Sequence, residues 1–269
     1  IAVAICASGN YLAGAVWPGI VQAGVTAHGW RPTYVAIAIA CLVLMPPLAW
    51  LLRRRGPGQA VGSAPAPAGP DRPAGLAPGR LQALLVVAGF ACCVAMAMPQ
   101  VHIVAYCADL GFGTANGAQM LSLMLGLGIV SRVGSGFIAD RIGGLPTLLL
   151  GSTLQGVALL LYLLFDGLAS LFVISALFGL FQGGIVPSYA LVVREVFPPR
   201  EAGARVGLVI MATLVGMAFG GWVSGAIFDA TGAYRAAFAH GLAWNLVNVV
   251  VASWLLLRVG GAGLRARPA

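Results

Sequence analysis

The sequence predicts an all-α, polytopic membrane protein with about eight transmembrane helices. Only 8% of its 269 residues are charged, whereas soluble domains carry about 25%. The mean hydropathy is +0.95, and the apolar residues form runs of roughly 20, the length that crosses about 30 Å of hydrocarbon as a helix. Because backbone groups in lipid must be hydrogen-bonded internally, each run is predicted to be helical.

Eight apolar spans follow one another, and most connections between them are short, which favours antiparallel neighbours. The chain begins at Ile1, inside the first span and without an initiating Met, so we expect it to be part of a longer protein. The spans cover about residues 1–27, 33–52, 81–107, 116–139, 145–165, 168–193, 203–228 and 234–258.

One connection differs from the others in composition. Half of residues 56–79, GPGQAVGSAPAPAGPDRPAGLAPG, are Gly or Pro, which predicts a flexible linker between two helical units. Connections on the side of this linker hold twelve arginines, and those on the opposite side hold only Arg31 and Arg235. The positive-inside bias therefore predicts that the linker and the C-terminus are cytoplasmic.

The basic residues thus act as topological anchors, and they explain the net charge of +8 without a nucleic-acid partner. The lipid bilayer is the expected surrounding. The basic residues are all arginines and the chain is rich in Ala and Gly, a composition typical of high-GC genomes, which predicts a multi-pass protein of a bacterial inner membrane. We expect a monomer.

An internal repeat sets the larger architecture. Arg31 and Arg235 each precede a Trp by nineteen residues and are 204 positions apart. The interval contains the linker and four further spans, so the repeat unit is six helices, and four helices are expected before Ile1. The predicted division is residues 1–52 as the last two helices of an N-terminal bundle, 53–80 as the linker, 81–258 as a C-terminal six-helix bundle and 259–269 as a cytoplasmic tail.

Two six-helix halves joined by a long cytoplasmic linker resemble the major facilitator superfamily. The stretch GFIADRIGG, with Gly136, Asp140, Arg141 and Gly143, is similar to that superfamily's G-x-x-x-D-R-x-G motif, and Gly144-Leu145-Pro146 replaces the basic residues that often follow it. The resemblance implies a gating role for this turn, in which Asp140 meets a neighbouring helix end in only one conformation. A plain charged turn that fixes topology is the alternative.

The spans lack the parts of an enzyme. They contain no HExxH, no P-loop, no paired carboxylates and no Ser/His/Asp set, so no catalytic residue and no cofactor is predicted. All seven acids lie at span ends or in loops, and the five cysteines lack the spacing of metal ligands, so no metal site is predicted. The absence of a carboxylate in mid-membrane favours an anionic or neutral substrate over a cation.

Arg132 is the main candidate for binding such an anion. It lies about seven residues inside the cytoplasmic end of its span, a depth of roughly 10 Å at 1.5 Å per residue. A charge at the bilayer centre costs about 2.5–3.5 kcal/mol on insertion scales, so it usually faces a bundle interior or an aqueous cavity. The alternative is that Arg132 snorkels to the cytoplasmic interface.

A narrower resemblance supports the first interpretation. SRVGSGFIAD, which contains Arg132, is similar to the eighth helix of the monocarboxylate-porter and oxalate/formate-antiporter branch, where an arginine at this position binds the substrate carboxylate. A guanidinium can hold a carboxylate through two parallel hydrogen bonds. Animal monocarboxylate members carry an aspartate for proton coupling one turn earlier, and here the position is Gly128. A coupled proton therefore stays open.

Three further residues complete the predicted substrate site. His102 follows Pro99 and shares a helix face with Tyr106, and its imidazole can donate to an anion or relay a proton. Gln182 is a polar candidate in FQGGIVPSYA, although amides in membrane helices often join helices instead. Packing is the alternative for His102.

The sequence therefore predicts a secondary active carrier that moves a small organic anion, a monocarboxylate, by alternating access. A drug or cation exporter of the same superfamily is the first alternative. A non-transporting membrane sensor or scaffold is the second, and it predicts no cavity that joins Arg132 and His102.

Overall fold

A computed structural model describes residues 2–52 and 76–265, with the side chains of residues 8–50 and 76–258. Within these ranges every regular element is a helix, which confirms the predicted all-α class. The helices are α1 (Ala2–His28), α2 (Trp30–Leu52), α3 (Pro78–Asp109), α4 (Thr114–Ile142), α5 (Gly144–Leu164), α6 (Leu168–Gln182), α7 (Ile185–Val196), α8 (Pro199–Thr231) and α9 (Tyr234–Arg265).

The described residues contain seven segments that are long and apolar enough to cross a bilayer, so the chain is a multi-pass membrane protein. Helix α1 is not among these segments. Helices α6 and α7 together form one span, for which the apolar run at 168–193 predicts a single helix. The seven segments are Trp30–Trp50, Pro78–Asp109, Thr114–Ile142, Gly144–Leu164, Leu168–Val196, Pro199–Thr231 and Tyr234–Arg258.

The ends of the helices differ slightly from the boundaries of the predicted domains. Helix α3 begins at Pro78, where the fixed φ of proline suits a first helical turn, so the last three residues of the predicted linker are helical. Residues 53–75 of that linker lie outside the described residues. Helix α9 continues to Arg265, into the predicted tail, and residues 266–269 are also outside the described part.

The C-terminal bundle is built around α3, which is buried along most of its length and packs against α4, α8 and α9. Small residues make this close packing feasible: a Cβ at Gly220 of α8 would lie 2.6 Å from the carbonyl oxygen of Val94. Such small-residue faces are the usual way for membrane helices to approach each other. Large apolar side chains such as Trp222 and Leu257 are exposed and form the lipid-facing surface.

Helix α1 lies along α4 and belongs to the N-terminal pair of helices. Gly126 of α4 faces the Cβ of Ala15, and Gln22 of α1 donates a hydrogen bond of 3.2 Å to the hydroxyl of Thr114. The two contacts lie about three turns apart along α4 and follow in opposite order along α1, so the helices are antiparallel. This packing brings the middle of α1 against the part of α4 that carries Arg132.

Candidate substrate-binding cavity

A cavity of about 740 Å³ lies between α1 and the C-terminal bundle. Its wall is mostly apolar, as is usual for small-molecule sites. Arg132 is the single charged side chain among the described residues that line it. The uncharged polar side chains of the wall are Asn10, Tyr11, Gln22, Tyr34, Gln100 and Thr213.

Arg132 is held inside the protein and not along its lipid-facing surface. Its side chain is only 7% exposed. Its Nε donates a hydrogen bond of 3.0 Å to the carbonyl oxygen of Gly183, and its guanidinium carbon lies 4.2 Å from the centre of the Tyr11 ring. The guanidinium is therefore fixed by a backbone carbonyl from one side and by an aromatic face from another.

Tyr11 also explains why the chain has Gly128 where an aspartate could stand. The Tyr11 ring occupies the space that a Cβ at Gly128 would need, and the two would overlap. The ring itself is buried, with 5% exposure. An aromatic side chain from α1 thus fills the space one turn before Arg132.

Gln182 reaches the cavity only through another residue. It is fully buried, and its Oε1 accepts a hydrogen bond of 2.8 Å from Nε2 of Gln100, which lines the cavity. None of the six uncharged polar side chains of the wall was predicted from the sequence, Gln100 and Tyr11 included. Gln100 lies two residues before His102 and hence on a different face of α3, and Tyr11 showed no pattern that linked it to α4.

The structure does not bring His102 to this cavity. Its Nε2 donates to the carbonyl oxygen of Gly221 on α8 at 2.8 Å, and its ring centre lies 5.7 Å from that of Tyr234. These contacts engage the imidazole within the bundle. His102 and Arg132 therefore have separate surroundings in this conformation.

Tyr106 lies farther along α3, near the end of the helix. Its ring packs edge-on against Tyr234 and Phe238. It lines a second, smaller cavity of about 210 Å³, together with Asp109, Asp166 and Arg235. Of the four predicted substrate residues, the structure places Arg132 in the main cavity, Gln182 behind its wall, and His102 and Tyr106 elsewhere.

The predicted gating turn lies between α4 and α5. Gly136 is half-buried within α4, and Asp140 and Arg141 are exposed at its end. Gly143 has a φ of +90°, a conformation that favours glycine. The backbone N–H of Gly144 donates to Oε1 of Glu195 at 2.9 Å, so the turn is tied to the end of α7.

A second group of polar residues is buried in the middle of the bundle and hydrogen-bonded within itself. Tyr189 donates to Oδ1 of Asn248 at 2.6 Å, and Nδ2 of Asn248 donates to the hydroxyl of Ser152 at 2.7 Å. Asn245 donates to the carbonyl oxygen of Ser152 and to Gln155. The group joins α5, α7 and α9, which is the usual role of amides in membrane helices.

The known proteins to which this chain is similar are transporters. The family model of the Major Facilitator Superfamily matches residues 1–174 and 133–268. Monocarboxylate transporter 13 of Rattus norvegicus is 34% identical over 143 residues, which are 52% of this chain and 33% of that protein. The MFS-type transporter opdF of Penicillium oxalicum is 27% identical over 188 residues, 68% of this chain and 44% of that protein. The chain thus spans less than half the length of these relatives.

The fold has a counterpart among solved structures. The crystal structure of FucP, a major facilitator superfamily transporter in the outward conformation, superposes with a TM-score of 0.58 over 87% of this chain and 57% of that chain. The two sequences are 17% identical, so this likeness concerns the fold alone. FucP and both relatives are transporters and not enzymes.

Proposed function

Because the chain belongs to the major facilitator superfamily, we propose that the full-length gene product is a secondary active carrier of a small organic anion. The family, its fold and the monocarboxylate-transporter-like branch, all expected from the sequence, are confirmed by the similarities above. The substrate class that we propose is a monocarboxylate, moved by alternating access. The cavity between α1 and the C-terminal bundle is its binding site.

A single observation carries the substrate class. Arg132 is the one charged side chain among the described residues lining the cavity, and it is buried. In surroundings of low dielectric constant, a cation attracts a carboxylate more strongly than it would in water. The described part of the cavity wall contains no carboxylate that would attract a cationic substrate.

The mode of binding follows from the contacts of Arg132. Its Nε donates to Gly183, so a carboxylate that enters the cavity would bind the terminal nitrogens of the guanidinium in place of their present contacts. The apolar part of the wall would contact the rest of the substrate. His102 and Tyr106 do not face the cavity, so any role of theirs in transport belongs to another conformation of the cycle.

Proton coupling through a carboxylate one turn before Arg132 has no group to carry it here, since Gly128 has no side chain and Tyr11 fills the space. We therefore propose exchange of one anion for another at this site. Asp140 and Arg141 would act in the gating turn.

We also propose that the linker and the C-terminus lie in the cytoplasm, because the arginines are concentrated on their side of the membrane. A monomer in a bacterial inner membrane is part of the same proposal.

The test is uptake by the full-length gene product reconstituted in liposomes, with a panel of radiolabelled short monocarboxylates and one organic cation. We expect wild-type uptake of at least one anion, none in Arg132→Gln, and partial uptake in Arg132→Lys, which keeps the charge but not the planar fork. Arg80→Gln, the same change at an exposed position of α3, is the matched control and should transport normally.

Two results would overturn the proposal. One is normal anion uptake by Arg132→Gln at equal amounts of folded protein. The other is wild-type uptake of the cation and of none of the anions, which would favour an exporter of cations.

A further inference from the structure

The orientation of Arg132 depends on a break in the helix opposite it. Helix α6 ends at Gln182 and α7 begins at Ile185, with Gly183 and Gly184 in a turn between them. Membrane helices tolerate such breaks where other groups satisfy the freed backbone atoms. Ser188 satisfies the carbonyl oxygen of Gly184, through its N–H at 3.2 Å and its hydroxyl at 2.8 Å.

The carbonyl of Gly183 cannot be satisfied in this way. In a continuous α-helix its partner would be the N–H four residues later, and that residue is Pro187. Proline has no backbone N–H. The donor that takes its place is Nε of Arg132, at 3.0 Å.

Glycines bring this carbonyl within reach of α4. A Cβ at Gly183 would lie 2.8 Å from the Cβ of Ser131 and 3.0 Å from the backbone nitrogen of Arg132, closer than real Cβ atoms pack. Gly179, one turn earlier, faces the backbone of Met124 in the same way. The two helices therefore touch backbone to backbone where Arg132 leaves α4.

We propose that Pro187 is a positioning residue for the substrate: by withholding its N–H it reserves the Gly183 carbonyl for Arg132. With Nε held by that carbonyl, the terminal nitrogens of the guanidinium keep one orientation relative to the cavity. The inference rests on the proposed role of Arg132 in binding a carboxylate. The residue that it adds, Pro187 of α7, would not contact the substrate but would influence the affinity of Arg132 for the carboxylate.

The test replaces Pro187 with residues that restore the N–H. In Pro187→Ala and Pro187→Gly the new N–H competes with Arg132 for the Gly183 carbonyl. We expect both variants to raise the KM of anion uptake about fivefold, because this ratio corresponds to the usual free energy of one hydrogen bond. Vmax should stay within about twofold of wild type. Alanine and glycine differ strongly in helix propensity, so equal effects would point to the N–H and not to helix stability.

Two controls separate positioning from a general effect of removing a proline. Pro46→Ala removes an intrahelical proline from α2, away from the cavity, and should leave the KM unchanged. In the Arg132→Lys background, the factor by which Pro187→Ala raises the KM should fall towards one. The reason is that the Nε donor, which the new N–H would displace from the Gly183 carbonyl, is absent there.

Different outcomes overturn different statements. An unchanged KM in Pro187→Ala and Pro187→Gly, in a protein that transports anions and loses uptake in Arg132→Gln, overturns the positioning role and leaves the proposed function intact. The positioning role is also overturned, with the proposed function left intact, if the factors by which Pro187→Ala and Arg132→Lys raise the KM multiply in the double variant. A wild-type protein that carries none of the anions overturns the proposed function itself.

Discussion

Arg132 and His102 are both basic residues within the membrane spans, but their surroundings differ in kind. Arg132 lines a cavity of about 740 Å³ and is fixed by a carbonyl and an aromatic ring. His102 is half-buried against α8, and its ring is engaged by Gly221 and Tyr234. The difference indicates that the depth of a side chain in the membrane does not by itself identify a binding residue. What matters is whether the side chain faces a space that a ligand can enter.

The contrast extends to the neighbours of each residue. Around Arg132, small residues let other elements approach: Gly128 admits Tyr11, and Gly183 admits the backbone of α4. Around His102 the packing is aromatic, with Tyr234 stacked on Phe228 at 4.2 Å between ring centres. Substitutions in the surroundings of Arg132 should therefore change transport more than substitutions in the surroundings of His102.

The largest effect is expected from Gly128→Ala, apart from the loss of Arg132 itself. The new Cβ would overlap the Tyr11 ring, and the ring must move away from the guanidinium. The displaced guanidinium would lose the orientation that binds the anion, so we expect kcat/KM of uptake to fall about tenfold, which corresponds to about 1.4 kcal/mol. The measurement is the concentration dependence of anion uptake at equal amounts of folded protein.

Tyr11→Ala provides the matching control because it empties the space that the new Cβ would need. The double variant Gly128→Ala/Tyr11→Ala should transport no worse than Tyr11→Ala alone. Independent, multiplying effects of the two changes would show that the ring and Gly128 are not in contact during transport.

The sequence predicted the fold far better than the site. Hydropathy located the spans, because residues in contact with lipid must be apolar along the whole length of a span. The break at Gly183 was missed, since Gly and Pro are common in membrane helices and the length of the apolar run masks the interruption. The burial of Arg132 followed from its cost in lipid, yet its partners Tyr11 and Gly183 come from distant parts of the chain.

The placement of His102 and Tyr106 shows a second limit of sequence reasoning. Their spacing of four residues correctly places them on one helix face, but the spacing does not reveal how α3 is rotated towards its neighbours. That rotation turns Gln100 towards the cavity and His102 towards α8. Rotation depends on packing with α4, α8 and α9, which no local pattern specifies.

A moderate effect is expected from Gln100→Leu, which removes a polar group from the cavity wall. It also removes the hydrogen bond to Gln182, whose Nε2 has no partner among the described residues even in the wild type. Leaving the buried amide without either bond costs about 1–3 kcal/mol, so both the melting temperature and the affinity for the anion should fall. We expect the KM to rise about threefold, less than in Gly128→Ala.

Gln100→Glu separates the two contributions of this residue. It keeps a hydrogen-bonding side chain of similar size but adds a negative charge to the same cavity as Arg132. If the cavity binds anions, uptake should fall further than in Gln100→Leu because like charges repel. Uptake equal to or above that of Gln100→Leu would contradict the assignment of this cavity to an anion.

The smallest effect is expected from His102→Gln. Glutamine can still donate to the carbonyl oxygen of Gly221, so the contact with α8 is kept while the titratable group is lost. Because His102 does not line the cavity, KM should stay within about twofold of wild type. The dependence of uptake on pH should also be unchanged. A loss of that pH dependence in His102→Gln would assign a proton to the transport cycle and make His102 its carrier in a conformation other than this one.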